Sequence, residues 1–86
     1  MGVEGKILVE VSLPASGATF DVFIYPLSPI HEVIPLMIGA IADLSRGYYQ
    51  SDEASLLCFK ENGAPLDINR TAVENGLKNG SKLLLI

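Results

Sequence analysis

The chain has 86 residues, 49% of them hydrophobic and 19% charged. That is one small domain, residues 1–86, with a modest core, and it excludes a disordered tail. Six Lys/Arg against ten Asp/Glu give a net charge of −4, too few cations for the broad basic face that nucleic acid requires.

Residues Lys6 to Leu13 alternate, with Ile7, Val9, Val11 and Leu13 on one side and Leu8, Glu10 and Ser12 on the other. The period is that of a half-buried strand. Pro14 ends it, and Ala15-Ser16-Gly17 makes a turn. Thr19 to Tyr25 alternates again, with Phe20, Val22 and Ile24 opposed to Asp21, Phe23 and Tyr25. The short connection makes the two strands an antiparallel hairpin.

After Pro26, Ser28 suits an N-cap and Pro29 a first helical residue. Ile30, Val33, Ile34, Met37, Ile38, Ile41 and Leu44 follow at helical spacing. Pro35 interrupts this stripe by removing an amide donor opposite the His31 carbonyl, so a bend is expected, not a break. Gly47 is the expected stop, and Gly47 to Ala54 is read as a loop.

Ser55 to Lys60 predicts a third strand, Glu61-Asn62-Gly63 a turn, and Pro65 to Ile68 a short fourth strand. Thr71-Ala72-Val73-Glu74 matches a capping box and predicts one helical turn ended by Gly76. After the Asn79-Gly80 turn, Lys82 to Ile86 is a nearly continuous apolar run, as expected of a central strand. The order is β-β-α-β-β-short helix-β. It predicts an α+β fold of the β-grasp, or ubiquitin-like, kind. A mixed five-stranded sheet is covered on one face by one long helix, with the first and last strands parallel at its centre.

Ile30-His31-Glu32-Val33 opening the helix, Gly63-Ala64-Pro65-Leu66-Asp67, and Asn75-Gly76-Leu77-Lys78-Asn79-Gly80-Ser81 before the last strand look like ubiquitin-like chains. More narrowly, the sequence from about Ile7 to Ile86 resembles the YukD/EsaB family, ubiquitin-like proteins of type VII (ESX) secretion systems in Gram-positive bacteria. It is also similar to the cytosolic N-terminal domain of the membrane component EccD. The resemblance implies a cytoplasmic accessory or regulatory role. The implied partner is a membrane-associated secretion component.

The residues offer little chemistry. A ubiquitin-type modifier or sulfur carrier acts through a flexible C-terminal Gly-Gly, whereas this sequence ends Lys82-Leu83-Leu84-Leu85-Ile86, which disfavours that alternative. Cys58 lies in an apolar strand and reads as a small buried residue, and His31 as a surface residue. Asp52 and Glu53 lack the spacing of a cation loop, and the glycines sit at separate turns, so no phosphate loop is formed. One Cys and one His exclude an internal disulfide and a structural zinc site built on those ligands. No apolar run is long enough to span a membrane, and the N-terminal segment lacks the basic region of a signal peptide. No enzyme activity, cofactor or metal is expected.

What remains is surface. The alternation puts Leu8, Phe23, Tyr25, Leu84 and Ile86 on the outer face of the sheet, joined by Leu57 and Phe59 if Leu56 and Cys58 point inward. Apolar patches of this kind mark interaction sites, so these seven residues are the candidate protein-docking site. Self-association as a homodimer is a second way to cover the same face. The Tyr48-Tyr49 pair is a lesser candidate for contact. A third reading makes the chain the cytosolic domain of a larger secretion-system membrane protein.

Overall fold

The computed structural model describes residues 5–46 and 56–86. The readings of Gly47, Tyr48, Tyr49, Asp52, Glu53 and Ser55 lie outside the described residues. Strand β1 (Ile7–Leu13) and strand β2 (Ala18–Ile24) form the expected hairpin, with Val9 opposite Val22 and Val11 opposite Phe20. Helix α1 (Ile30–Leu44) follows, then strand β3 (Leu57–Phe59) and strand β4 (Lys82–Leu85). The sheet order is β2-β1-β4-β3, with β4 parallel to β1 and antiparallel to β3.

The core lies between the sheet and α1. Val9, Val11, Val22, Ile24, Leu83 and Leu85 meet Ile30, Val33, Met37 and Ile41 of the helix. The helical residues recur at three- and four-residue intervals, which keeps them on one face of the helix. Leu66, Ala72 and Leu77, from the connection between β3 and β4, close the core. Leu44, read from the sequence as part of the stripe, is exposed.

The helix begins one residue later than its local signals suggest. Pro29 is the N-cap and makes no side-chain capping bond. The Ile30 amide donates to the Arg70 carbonyl at 2.9 Å and the His31 amide to the Ile68 carbonyl at 3.1 Å. Two orphan donors of the first turn are therefore satisfied by a segment some forty residues downstream. Past that turn, α1 runs unbroken through Pro35. Pro35 and His31 are both exposed residues.

One expected element is reduced. The fourth predicted strand is a single bridge between Pro65 and Cys58, which leaves four strands among the described residues instead of five. Two backbone bonds flank the bridge, the Leu66 amide donating to the Leu57 carbonyl at 3.0 Å and the Phe59 amide to the Ala64 carbonyl at 2.8 Å, so the missing amide of Pro65 lies on the side away from β3. The segment from Thr71 makes the expected single turn, with the Asn75 amide donating to the Thr71 carbonyl at 3.0 Å, and goes no further. Its capping box is complete: the Thr71 amide donates to Glu74 Oε1 at 2.9 Å, and the Glu74 amide to Thr71 Oγ1 at 3.1 Å.

Candidate functional site

The uncovered side of the sheet is set by strand register. The parity of β1 turns Leu8, Glu10 and Ser12 outward, opposite Phe23, Asp21 and Thr19 of β2. Across the other edge of β1, Lys82 is level with Glu10 and Leu84 with Ser12. Cys58 of β3 lies opposite Leu84. Beyond them Leu56 and Ile86 exchange backbone hydrogen bonds of 2.7 and 2.9 Å.

The face is thus built of transverse rows. At one end Leu8 lies opposite Phe23, with Lys6 Nζ 5.1 Å from the Tyr25 ring centroid nearby. This is cation–π distance. The next row is charged, with Asp21, Glu10 and Lys82 side by side. Thr19, Ser12, Leu84 and Cys58 follow, and Ile86 with Leu56 closes the far end.

Lys60 ties the charged row to its neighbour. Its ammonium lies 4.0 Å from Glu10 Oε2 and donates to Ser12 Oγ at 3.3 Å. Lys60 follows β3, so its side chain crosses over β4 to reach β1. Ser12, the one buried polar side chain among the described residues, is also 3.1 Å from Thr19 Oγ1. No buried side-chain nitrogen or oxygen among the described residues lacks a partner.

The structure divides the candidate docking residues. Leu8, Phe23, Tyr25, Leu84 and Ile86 are outward by parity, and Phe23, Tyr25 and Ile86 are 50%, 50% and 57% exposed. They do not form one patch. Leu84 is level with Ser12, four residues beyond Leu8 along β1, or about 13 Å at strand rise. The charged row lies between.

Leu57 and Phe59 are on the other face. They lie opposite Leu85 and Leu83 and pack against the core, Leu57 at 1% exposure. The phase of β3 is the reverse of the expected one. Leu56, expected inward, is 40% exposed and belongs with Ile86. The run Leu56-Leu57-Cys58-Phe59 is apolar throughout, so alternation gives it no phase. The one signal was the pairing partner, since Leu84 can face outward only if the residue opposite it does too.

The same reversal separates Cys58 from His31. Cys58 is 1% exposed on the outward side of β3, and His31 is an exposed residue of the helix on the opposite side of the sheet. The two cannot form a nucleophile–base pair. Among the described residues, no three of His, Cys, Asp or Glu come together to hold a metal ion. The Glu74 carboxyl is held below the ordinary glutamate range. The bond from the Thr71 amide lowers it first, helped by the Thr71 side chain and the nearby Arg70 charge. Its role is to hold a turn.

The arrangement has close counterparts among solved structures. The ubiquitin-like domain of EccD5 from Mycobacterium xenopi superposes with a TM-score of 0.79 at 20% identity, over 94% of this chain and 92% of that one. The fold is ubiquitin-like. A second match covers 95% of this chain and 21% of a chain in an ESX-5 inner membrane complex, with TM-score 0.78 and 17% identity. The ubiquitin-like domain of the Mycobacterium tuberculosis type VII secretion system protein ECCD1 matches at TM-score 0.74 and 13% identity, over 94% of this chain and 97% of that one. No family model and no curated protein matches the sequence. No helix among the described residues is long and apolar enough to cross a membrane.

Proposed function

We propose that this ubiquitin-like chain is a non-catalytic docking module of a type VII secretion system. It works in the cytoplasm, as a YukD/EsaB-type accessory or regulatory component, by binding a membrane-associated secretion component without covalent linkage. The observation that carries this reading is the likeness to the EccD5 domain along nearly the whole of both chains. The outward face of the sheet supports the mode of binding. Leu84, Ile86 and Leu56 form an apolar end, and Leu8, Phe23 and Tyr25 form a second contact area beyond the charged row.

The test is capture of the tagged chain from its native host, wild type against Ile86→Asp, with bound proteins identified by mass spectrometry. Ile86 is exposed at the sheet's end, so circular dichroism should show the variant folded. Secretion-system membrane components captured by wild type and lost with the folded variant are the expected result. Equal capture by both would refute docking through this face.

A second reading has its own support. The ESX-5 match covers only a fifth of a larger chain, as it would if this sequence were the cytosolic domain of a membrane protein. An immunoblot of the host separates the two: a band near 9.2 kDa fits the accessory protein, and a much larger, membrane-sedimenting band the domain.

A further inference from the structure

Three of the chain's six cationic side chains gather at one place although its net charge is −4. Lys60, Lys78 and Lys82 line an open cleft of about 400 Å³ floored by Phe59 and Ser81 and bordered by Glu61. Lys60 is within ion-pair distance of Glu10, at 4.0 Å. Among the described residues neither Lys78 nor Lys82 has an acidic partner within salt-bridge reach. The cleft adjoins the outward face directly, because Lys60 and Lys82 also belong to the charged row beside Leu84.

We propose that this cleft receives an acidic segment of the protein that docks on the sheet. The inference deepens the docking reading and rests on it. Charge complementarity selects carboxylates spread along a peptide over a compact phosphate. A compact phosphate site built on the backbone needs converging amide donors, and three amides at this turn are already spent. The Lys78 amide donates to Ser81 Oγ at 2.9 Å, the Ser81 amide to the Lys78 carbonyl at 3.0 Å, and the Gly80 amide to the Leu8 carbonyl at 2.8 Å. What remains at the cleft are the Lys78 and Lys82 side chains, with the Lys60 ammonium turned toward Glu10 and Ser12 and with Glu61 opposing any dense negative charge. A nucleic acid would meet the same carboxylate and a net negative chain. A partner with acidic residues flanking an apolar one would fill the cleft while its apolar side chain reached Leu84 and Ile86. Opposite charges here would set orientation and association rate as much as affinity.

The experiment is an amide NMR titration of the full chain with a hexaglutamate peptide, with hexalysine, inorganic phosphate and an oligothymidylate as parallel probes. The expected result is saturable shifts at Lys60, Gly76, Lys78, Ser81 and Lys82 with hexaglutamate alone, weakening about tenfold as salt rises from ~0.05 to ~0.5 M. The Lys78→Glu/Lys82→Glu variant should lose them, and Lys78→Arg/Lys82→Arg should keep them. No localised shift with hexaglutamate, or equal shifts with hexalysine, overturns the proposal. Tighter binding of phosphate or oligothymidylate overturns it too, in favour of a phosphate ligand. Failure of the docking reading reads differently: hexaglutamate still binds, but Ile86→Asp captures the same secretion components as wild type.

Discussion

Replacing Pro35 by Ala should stabilise this protein by about 2 kcal/mol. Proline inside a helix costs ~3 kcal/mol relative to alanine, through the missing amide and the clash with the carbonyl four residues back. Pro35 is the sixth residue of α1, past the first turn, where every amide is expected to find a helical partner. It is exposed and outside the core cluster, so the substitution removes no packing. Against the gain stands the added freedom of the unfolded chain, ~0.4–1 kcal/mol. The difference is large beside the 4–13 kcal/mol or so expected for a domain of this length. It corresponds to a rise in Tm of roughly 8–16 °C. Guanidinium unfolding followed by far-UV circular dichroism, with the denaturant slope unchanged between variants, would measure it. A neutral or destabilising result would refute the reasoning. It would mean that proline at position 35 is what lets Ile30 and Val33, before it, reach the same core as Met37 and Ile41, after it.

The phase of β3 makes opposite predictions for neighbouring residues. Leu57→Asp buries a charge among Leu85 and the helix and should cost more than about 4 kcal/mol, leaving little folded protein. Leu56→Asp should fold, within ~1 kcal/mol of wild type in a denaturant titration; the reverse pattern would show the strand turned over. Acid should act on the Thr71–Glu74 turn. The folded pKa of Glu74 is held below its unfolded value by the Thr71 amide. Its contribution is therefore complete above the ordinary glutamate range and lost as pH falls through the folded value. The stability advantage of wild type over Glu74→Gln should shrink as pH is lowered from about 6 toward 3. An advantage independent of pH would show that the carboxylate's charge plays no part.

The hairpin was legible because its residues alternate. Val9 and Val11 lie against Val22 and Phe20 in the register that the two patterns demand, since a slip of one residue would expose every one of them. The central place of β4 followed from its nearly continuous apolar run, and its parallel pairing with β1 from the order of the elements. Less was legible where the partner is distant. The start of α1 depends on the carbonyls of Arg70 and Ile68, and nothing near Pro29 announces them. The orientation of Leu57 and Phe59 was hidden because four apolar residues in a row carry no period.

The outward face depends on a longitudinal offset that no single strand encodes. Parity alone assigns Leu8, Leu84 and Ile86 to one side, yet the parallel pair sets Leu84 beside Ser12 and leaves Leu8 beside the turn before β4. That turn fixes the offset. The Leu8 amide donates to Asn79 Oδ1 at 2.8 Å, and the Leu8 carbonyl accepts from the Gly80 amide at 2.8 Å. Gly80, at φ 88°, holds a left-handed conformation that favours glycine. Shifting β4 back along β1 to join Leu84 to Leu8 would break both bonds and drive Lys82 out of its row with Glu10. The turn that closes the fold is therefore also what places charge between the two apolar ends. A protein that docks on Leu84 and Ile86 meets Lys82 and Lys60 before it can reach Leu8, and its own side chains must answer both.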